Sequence, residues 1–399
     1  MELHTPIGKG DSRPGLFLSK RTAPIIQSEI RVMTIECEKV KGINLAQGVC
    51  DTEVPLQVRQ GAREAIERGM NSYTRYDGVA ELRNAIARKM WEYNGITADP
   101  EAEITVSAGS TGALYCACMA LLNPGDEVVL FEPYYGYHLN TLLAVDVSPS
   151  YVTLRPPDWT FAPEDLERAV SPKTRGIMVC TPANPSGKVF TPTELAWVAE
   201  FATRHDLFIF TDEIYEYFLY DGRRHVSPGS LPGMAERTIT ISGLSKTFSI
   251  TGWRIGYSIS QARWAEAIGY INDLVYVCAP APLQYGVAAG LNELTPAFYR
   301  QLSAAYARKR DRLCTALQKA QLTPYVPQGA YYILADASSL PGETSKDKAR
   351  AFLSRTGVAT VPGEAFFHRS CEGKNLLRFC YAKTDTELEE ACHRIQRLA

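Results

Sequence analysis

Residues 238–259 read Thr-Ile-Thr-Ile-Ser-Gly-Leu-Ser-Lys-Thr-Phe-Ser-Ile-Thr-Gly-Trp-Arg-Ile-Gly-Tyr-Ser-Ile. Two short apolar runs, 238–242 and 254–259, flank a loop of hydroxyls and glycines that carries a single lysine, Lys246. Short apolar runs bounded by turn residues are the pattern of strands buried inside a sheet. The same pattern occurs upstream at 104–107, 127–131, 176–180 and 207–211, each followed by a turn or helix signal. Between the last two lies a marked helix. Thr191 can cap it, Pro192 suits its first position, Glu194 completes a capping box, and Leu195, Val198, Ala199 and Ala202 share a face. Strands alternating with helices imply an α/β fold around a central, mostly parallel sheet.

Beyond about residue 290 the pattern changes. A long helix is expected over 296–320, then a strand at 331–336, a helix near 346–355, strands around 358–361 and 376–381, and a capped helix from Asp385. This reads as a smaller α+β domain, and residues 21–57, with a strand at 42–46, are expected to join it. The expected division is an N-terminal arm at 1–20, a small domain of 21–57 and 290–399, and a large domain at 58–289.

With 399 residues, 45% hydrophobic and 22% charged, the composition is that of an ordinary globular chain. Lys and Arg total 42 against 44 Asp and Glu, a net charge of −2, which supplies no electrostatic attraction to nucleic acid or an anionic membrane. The ten cysteines form no Cys-x-x-Cys pair and no zinc-type spacing with the six histidines. They are read as reduced, structural thiols, with no metal site. Residues 1–20 are polar and lack the apolar core of a targeting segment, and no apolar run approaches a membrane span. A cytoplasmic location is expected.

The chemistry centres on Lys246. In water a lysine is nearly all ammonium, whereas in a desolvated pocket or beside another cation it can form a Schiff base with a carbonyl. Ser242 and Ser245 offer hydrogen bonds, and Arg254, eight positions on, offers a planar fork for a phosphate. An aldehyde carrying a phosphate meets both demands, and pyridoxal phosphate is such a molecule. In open α/β sheets ligands bind beyond the carboxyl ends of strands. There the sequence places Ala108-Gly109-Ser110-Thr111-Gly112-Ala113 opening a helix, small residues that let backbone amides reach an anion. After 127–131 comes Glu132-Pro133-Tyr134-Tyr135-Gly136-Tyr137-His138, where an aromatic can stack on a flat ring. Thr181-Pro182-Ala183-Asn184-Pro185-Ser186-Gly187 follows 176–180, and Asp212-Glu213-Ile214-Tyr215 follows 207–211. An acid at a strand end can cap a helix, or it can sit beneath a ring nitrogen with Tyr215 near a ring oxygen.

Together these segments resemble the class I/II pyridoxal-phosphate-dependent aminotransferases, the aspartate aminotransferase superfamily of fold type I. The resemblance runs from about Asn44 to the last helix, and looks strongest to the branch with bacterial aspartate, aromatic and kynurenine aminotransferases. It implies a seven-stranded sheet and a homodimer. It implies Lys246 as the Schiff-base lysine and proton shuttle, Asp212 against the pyridinium nitrogen, Tyr215 and Asn184 on the ring oxygen, and Tyr135 stacked on the ring. Ser110, Thr111, Ser242, Ser245 and Arg254 would hold the phosphate, with Tyr73 reaching it from the other subunit. Arg378, beside the Gly48 backbone, would fork onto the substrate α-carboxylate, and a buried guanidinium needs an anionic partner. This chain departs from the family at Gly243, where a serine or threonine is common, at Val49-Cys50-Asp51-Thr52, and in having Asn-Pro-Ser-Gly. The implied activity is ping-pong transfer of an α-amino group from an amino acid to a 2-oxo acid. A carbon–sulfur β-lyase, or another β/γ-elimination enzyme, would use the same residues. A non-catalytic ligand sensor would not need Lys246, Asp212 and Arg378 together. Tyr134, Tyr135, Tyr137 and Tyr276 suit an aromatic or neutral substrate side chain.

Overall fold

A computed structural model describes residues 17–25, 28–50 and 52–398, so most of the expected N-terminal arm, and Asp51, lie outside the described residues. The strands in chain order begin with β1 (Ile43–Asn44), β2 (Ile104–Ala108), β3 (Glu127–Glu132) and β4 (Ser148–Thr153). They continue with β5 (Thr174–Cys180), β6 (Phe208–Asp212), β7 (Thr238–Ser242) and β8 (Ile255–Ile259). Strands β2 to β8 form one seven-stranded sheet in the order β2-β8-β7-β6-β5-β3-β4. Every pair is parallel except those of β8, which runs antiparallel to both β2 and β7.

Six of these strands coincide with the apolar runs of the sequence. The seventh, β4, opens on Ser148-Pro149-Ser150 and has no apolar run to mark it in the sequence. It lies at the sheet edge, where a proline removes no interior ladder bond. The run expected from 254 begins instead at Ile255. Arg254 has φ +55 and ends a short 3₁₀ turn, Thr251–Trp253, so its backbone is left-handed rather than extended. The helix Pro192–Arg204 forms as expected, with Thr191 and Glu194 satisfying each other's backbone amides.

The remaining strands are β9 (Thr323–Tyr325), β10 (Tyr332–Asp336), β11 (Val358–Ala359), β12 (Val361–Pro362) and β13 (Leu376–Cys380). An antiparallel sheet runs β12-β13-β10-β9, and β1 pairs in parallel with β11, Ile43 opposite Val358. The single strand expected at 358–361 is thus divided between two sheets. One hydrophobic cluster runs from Val179 and Ile209 on the large sheet, through Phe218 and Tyr331, to Leu334, Phe352 and Phe379 of the C-terminal sheet and its helix. The helix Glu29–Lys39 adds Met33 and Cys37 to the same cluster.

Candidate active site

The carboxyl ends of β2, β3, β5 and β6 and the loop after β7 open on a cavity of about 560 Å³. Gly48, Ser110, Thr111, Tyr135, Asn184, Asp212, Tyr215, Ser245, Lys246 and Arg254 all line it. Segments scattered over the chain therefore meet where the parallel topology directs them.

Lys246 is half-buried, and its Nζ donates only to the Gly48 carbonyl, at 3.2 Å. Burial lowers its pKa from the ordinary lysine value. Desolvation disfavours ammonium, so the amine is available as a nucleophile at a lower pH than a surface lysine. Gly48 also accepts from the Tyr331 hydroxyl at 3.2 Å. A Cβ at Gly48 would fall 1.9 Å from the Tyr332 hydroxyl, so only glycine lets this backbone lie against the ring.

One end of the cavity is an anion cradle. The helix Gly109–Leu121 starts there with the Ser110 and Thr111 hydroxyls on the wall, and helix N-termini favour negative charge. Gly109 has φ +76, and a Cβ on it would fall 2.2 Å from Arg254 Nη2. One on Gly256 would fall 2.3 Å from the Ser110 nitrogen. The two backbones thus approach as closely as a chain allows. Ala108 N donates to the Tyr276 hydroxyl at 3.0 Å, and that hydroxyl donates to Asn272, which pins the end of β2. Tyr276 therefore serves the cradle and, like Tyr134, does not line this cavity.

Opposite the cradle, Asp212 Oδ2 lies 2.8 Å from His138 Nε2. Tyr135 meets the His138 ring edge-on, with centroids 5.3 Å apart. Tyr215 is buried, its hydroxyl 3.0 Å from that of Tyr332, and burial raises its pKa well above the usual value. Arg378 is fully buried. Its Nη1 donates to Asn184 Oδ1 at 2.9 Å and its Nη2 to the Ala46 carbonyl at 2.6 Å, while Nε has no partner. The guanidinium lies 4.3 Å over the Tyr332 ring. Among the described residues no carboxylate pairs with it, so none of them supplies the expected anion.

Three expected residues do not line the cavity: Arg378 lies behind Asn184 and Tyr332, and two lie elsewhere. Ser242 does not face the cavity. Its hydroxyl donates to Glu216 Oε1 at 3.0 Å on the buried side of β7, which corrects its assignment to the phosphate. Tyr73 is 83% exposed and lines a separate groove with Arg75 and Tyr285. Sequence reasoning gave no role to His138, although it falls three residues after Tyr135 at the start of the helix Gly136–Ala144 and shares its face. Tyr332 was read only as part of a strand.

A desolvated amine, a phosphate-sized cradle, an acid backed by histidine beneath an aromatic lid, and an unmatched guanidinium suit one ligand. It is a phosphorylated pyridine aldehyde together with an α-amino acid, and this donor set defines a pyridoxal-phosphate enzyme. Residues 40–395 match the family Aminotransferase class I and II, and the chain belongs to it. It is 33% identical to the aromatic-amino-acid aminotransferase 2 of Thermococcus litoralis over 386 residues, covering 96% of this chain and 98% of that one. The solved structure of N-succinyldiaminopimelate aminotransferase from Mycobacterium tuberculosis matches with a TM-score of 0.92 at 33% identity, covering 96% of this chain and all (100%) of that one. Thermus thermophilus aspartate aminotransferase with maleate matches with a TM-score of 0.90 at 30% identity, covering 96% and 100%. The protein is a pyridoxal-phosphate-dependent transaminase, and the elimination reading is not favoured.

Proposed function

We propose that the Lys246 amine and the Arg378 guanidinium are the two fixed points between which this enzyme moves an α-amino group from an amino acid to a 2-oxo acid. The observation that carries this is Arg378, buried with no carboxylate partner among the described residues and with Nε unpartnered, directly behind Asn184 and Tyr332 of the cavity that also holds an amine whose charge burial disfavours. Pyridoxal phosphate, when bound, supplies an electron sink for negative charge developing at the substrate α-carbon. Arg378 takes the α-carboxylate and fixes which substituent faces Lys246. Lys246 would hold the cofactor, and its amine is placed to take and return the proton at the substrate α-carbon. Asp212, oriented by His138, keeps a proton on the ring nitrogen. Tyr215 and Asn184 would donate to the ring oxygen, and Tyr135 would cover the ring face. Ser110, Thr111, Ser245 and Arg254 hold the phosphate.

The working unit in this reading is a homodimer in which Tyr73 reaches the neighbouring phosphate. Supporting it, Tyr73 (83%) and Leu274 (82%) are exposed, and Tyr270, itself 57% exposed, touches Tyr76 at 5.8 Å. A fully active monomer in sedimentation would contradict it. We also place the enzyme in the cytoplasm, on its composition; no described helix is long and apolar enough to cross a membrane. The deciding experiment is Lys246→Ala. Activity should fall by roughly 10³-fold or more, with loss of the cofactor's near-visible absorbance and of its borohydride-trapped adduct. Retention of the adduct at another position would overturn the assignment.

A further inference from the structure

A second cavity, of about 630 Å³, lies against the first and shares Ser28, Ile30, Tyr135 and Tyr137 with it. Its walls are mainly apolar and aromatic, among them Leu139, Leu143, Tyr151, Phe366 and Phe367. Lys346 and the imidazole of His368 border it, and both are engaged. Lys346 Nζ is 2.8 Å from Glu29 Oε1. His368 Nδ1 is 2.9 Å from the buried Glu132, and its ring stacks on Tyr151 with centroids 4.2 Å apart. A second carboxylate entering this chamber would find no unpaired positive charge among the described residues and would lose its hydration. A large flat or branched apolar group would find aromatic walls and a volume typical of small-molecule pockets.

We infer that this chamber receives the substrate side chain and makes the enzyme selective for amino acids with large neutral, above all aromatic, side chains over dicarboxylates. The inference rests on the transaminase reading and specifies its substrate class. Phe366 links the two sites, since it lines the chamber and lies 5.2 Å from the Arg378 guanidinium. An amino acid anchored by its α-carboxylate at Arg378 therefore has the chamber within reach of its side chain.

Gly136 supplies the test. It lines the chamber at the first position of the helix Gly136–Ala144, and a Cβ built on it meets nothing within 4 Å. Gly136→Leu should plug the space without a backbone clash. Leu143→Phe, seven residues on and on the same helical face, is a second plug should the first fail to assemble holoenzyme. Donor kinetics of the holoenzyme are measured with phenylalanine, tryptophan, methionine, alanine and aspartate. For the unmodified protein kcat/KM for phenylalanine should exceed that for aspartate by at least about tenfold. Either plug should lower the large donors by about tenfold or more while alanine stays within about threefold. A preference for aspartate would overturn the inference and direct attention to Arg31, which lines the first cavity. An equal fall for large and small donors, or no fall for either, would also overturn it. Failure of every donor in the unmodified holoenzyme would instead remove the transaminase reading beneath it.

Discussion

Lys89 and Arg310 are buried in one way, Lys246 and Arg378 in another. Lys89 Nζ lies 2.5 Å from Glu216 Oε1 and 3.3 Å from the Tyr257 hydroxyl. Arg310 forks onto Asp221 at 2.6 and 3.0 Å, with Asp311 alongside at 2.8 Å. Each of these charges has its counter-ion inside the chain. Among the described residues Lys246 and Arg378 have only neutral acceptors, and one guanidinium nitrogen of Arg378 has none. Burying an unpaired charge is among the costliest arrangements a fold can keep. The difference separates cations that hold the molecule together from cations that wait for a ligand.

Substitutions can break this contrast. The largest effect after that of Lys246 is expected from Arg378→Leu. Removing one partner of a buried charge pair costs about 2–5 kcal/mol, so kcat/KM for amino acids should fall by at least some 30-fold. Its melting temperature should change little or rise, because an unpaired buried charge is removed. A large drop in thermal stability with unchanged kinetics would make Arg378 a structural residue.

Lys89→Met should do the reverse. It strands Glu216, and breaking a buried pair costs about 3–5 kcal/mol, visible as a lower urea midpoint, while folded holoenzyme keeps its cofactor spectrum. The pair also sets an acid dependence. Burial alone would raise the Glu216 pKa, but the Lys89 ammonium beside it holds it below the usual carboxylate value. A depressed carboxyl stabilises the fold above its unfolded pKa of about 4.3, and that contribution is lost as pH falls through the folded value. In Lys89→Met this acid-dependent loss should shrink or reverse in urea titrations, because without the ammonium burial raises the Glu216 pKa and its protonation as pH falls relieves the stranded charge. The smallest effect is that of Ser242→Ala. Loss of its bond to Glu216 should cost about 1 kcal/mol of stability and leave cofactor affinity unchanged. Weaker cofactor binding would restore the phosphate role that its burial argues against.

The parts of the molecule legible in the sequence are those with a local signature. Strands β5 and β6 carry the apolar runs Ile177–Cys180 and Phe208–Phe210, β7 alternates Thr with Ile, and Lys246, Asp212 and Asn184 fall at or just beyond strand ends where the topology delivers ligands. Strand β4 has no such run, since an edge strand needs little burial. Ser242 was misplaced because nearness to Lys246 in sequence says nothing about the side of the strand a hydroxyl takes, and alternation along β7 turns it inward. His138 and Tyr332 act on partners 74 and 117 residues away, and only the closed sheet brings them there. The absence of a counter-ion at Arg378 was the least legible feature, because it is a property of everything folded around that residue.

Asn184 shows what this architecture transmits. A guanidinium can only donate, so the amide oxygen of Asn184 must face Arg378, and its –NH₂ is left as the end available to the cavity. The side chain consequently has a polarity it cannot reverse. Its donors hold an ionised phenol more strongly than a protonated one, so the arginine chosen for one ligand also biases the ionisation state favoured in the other.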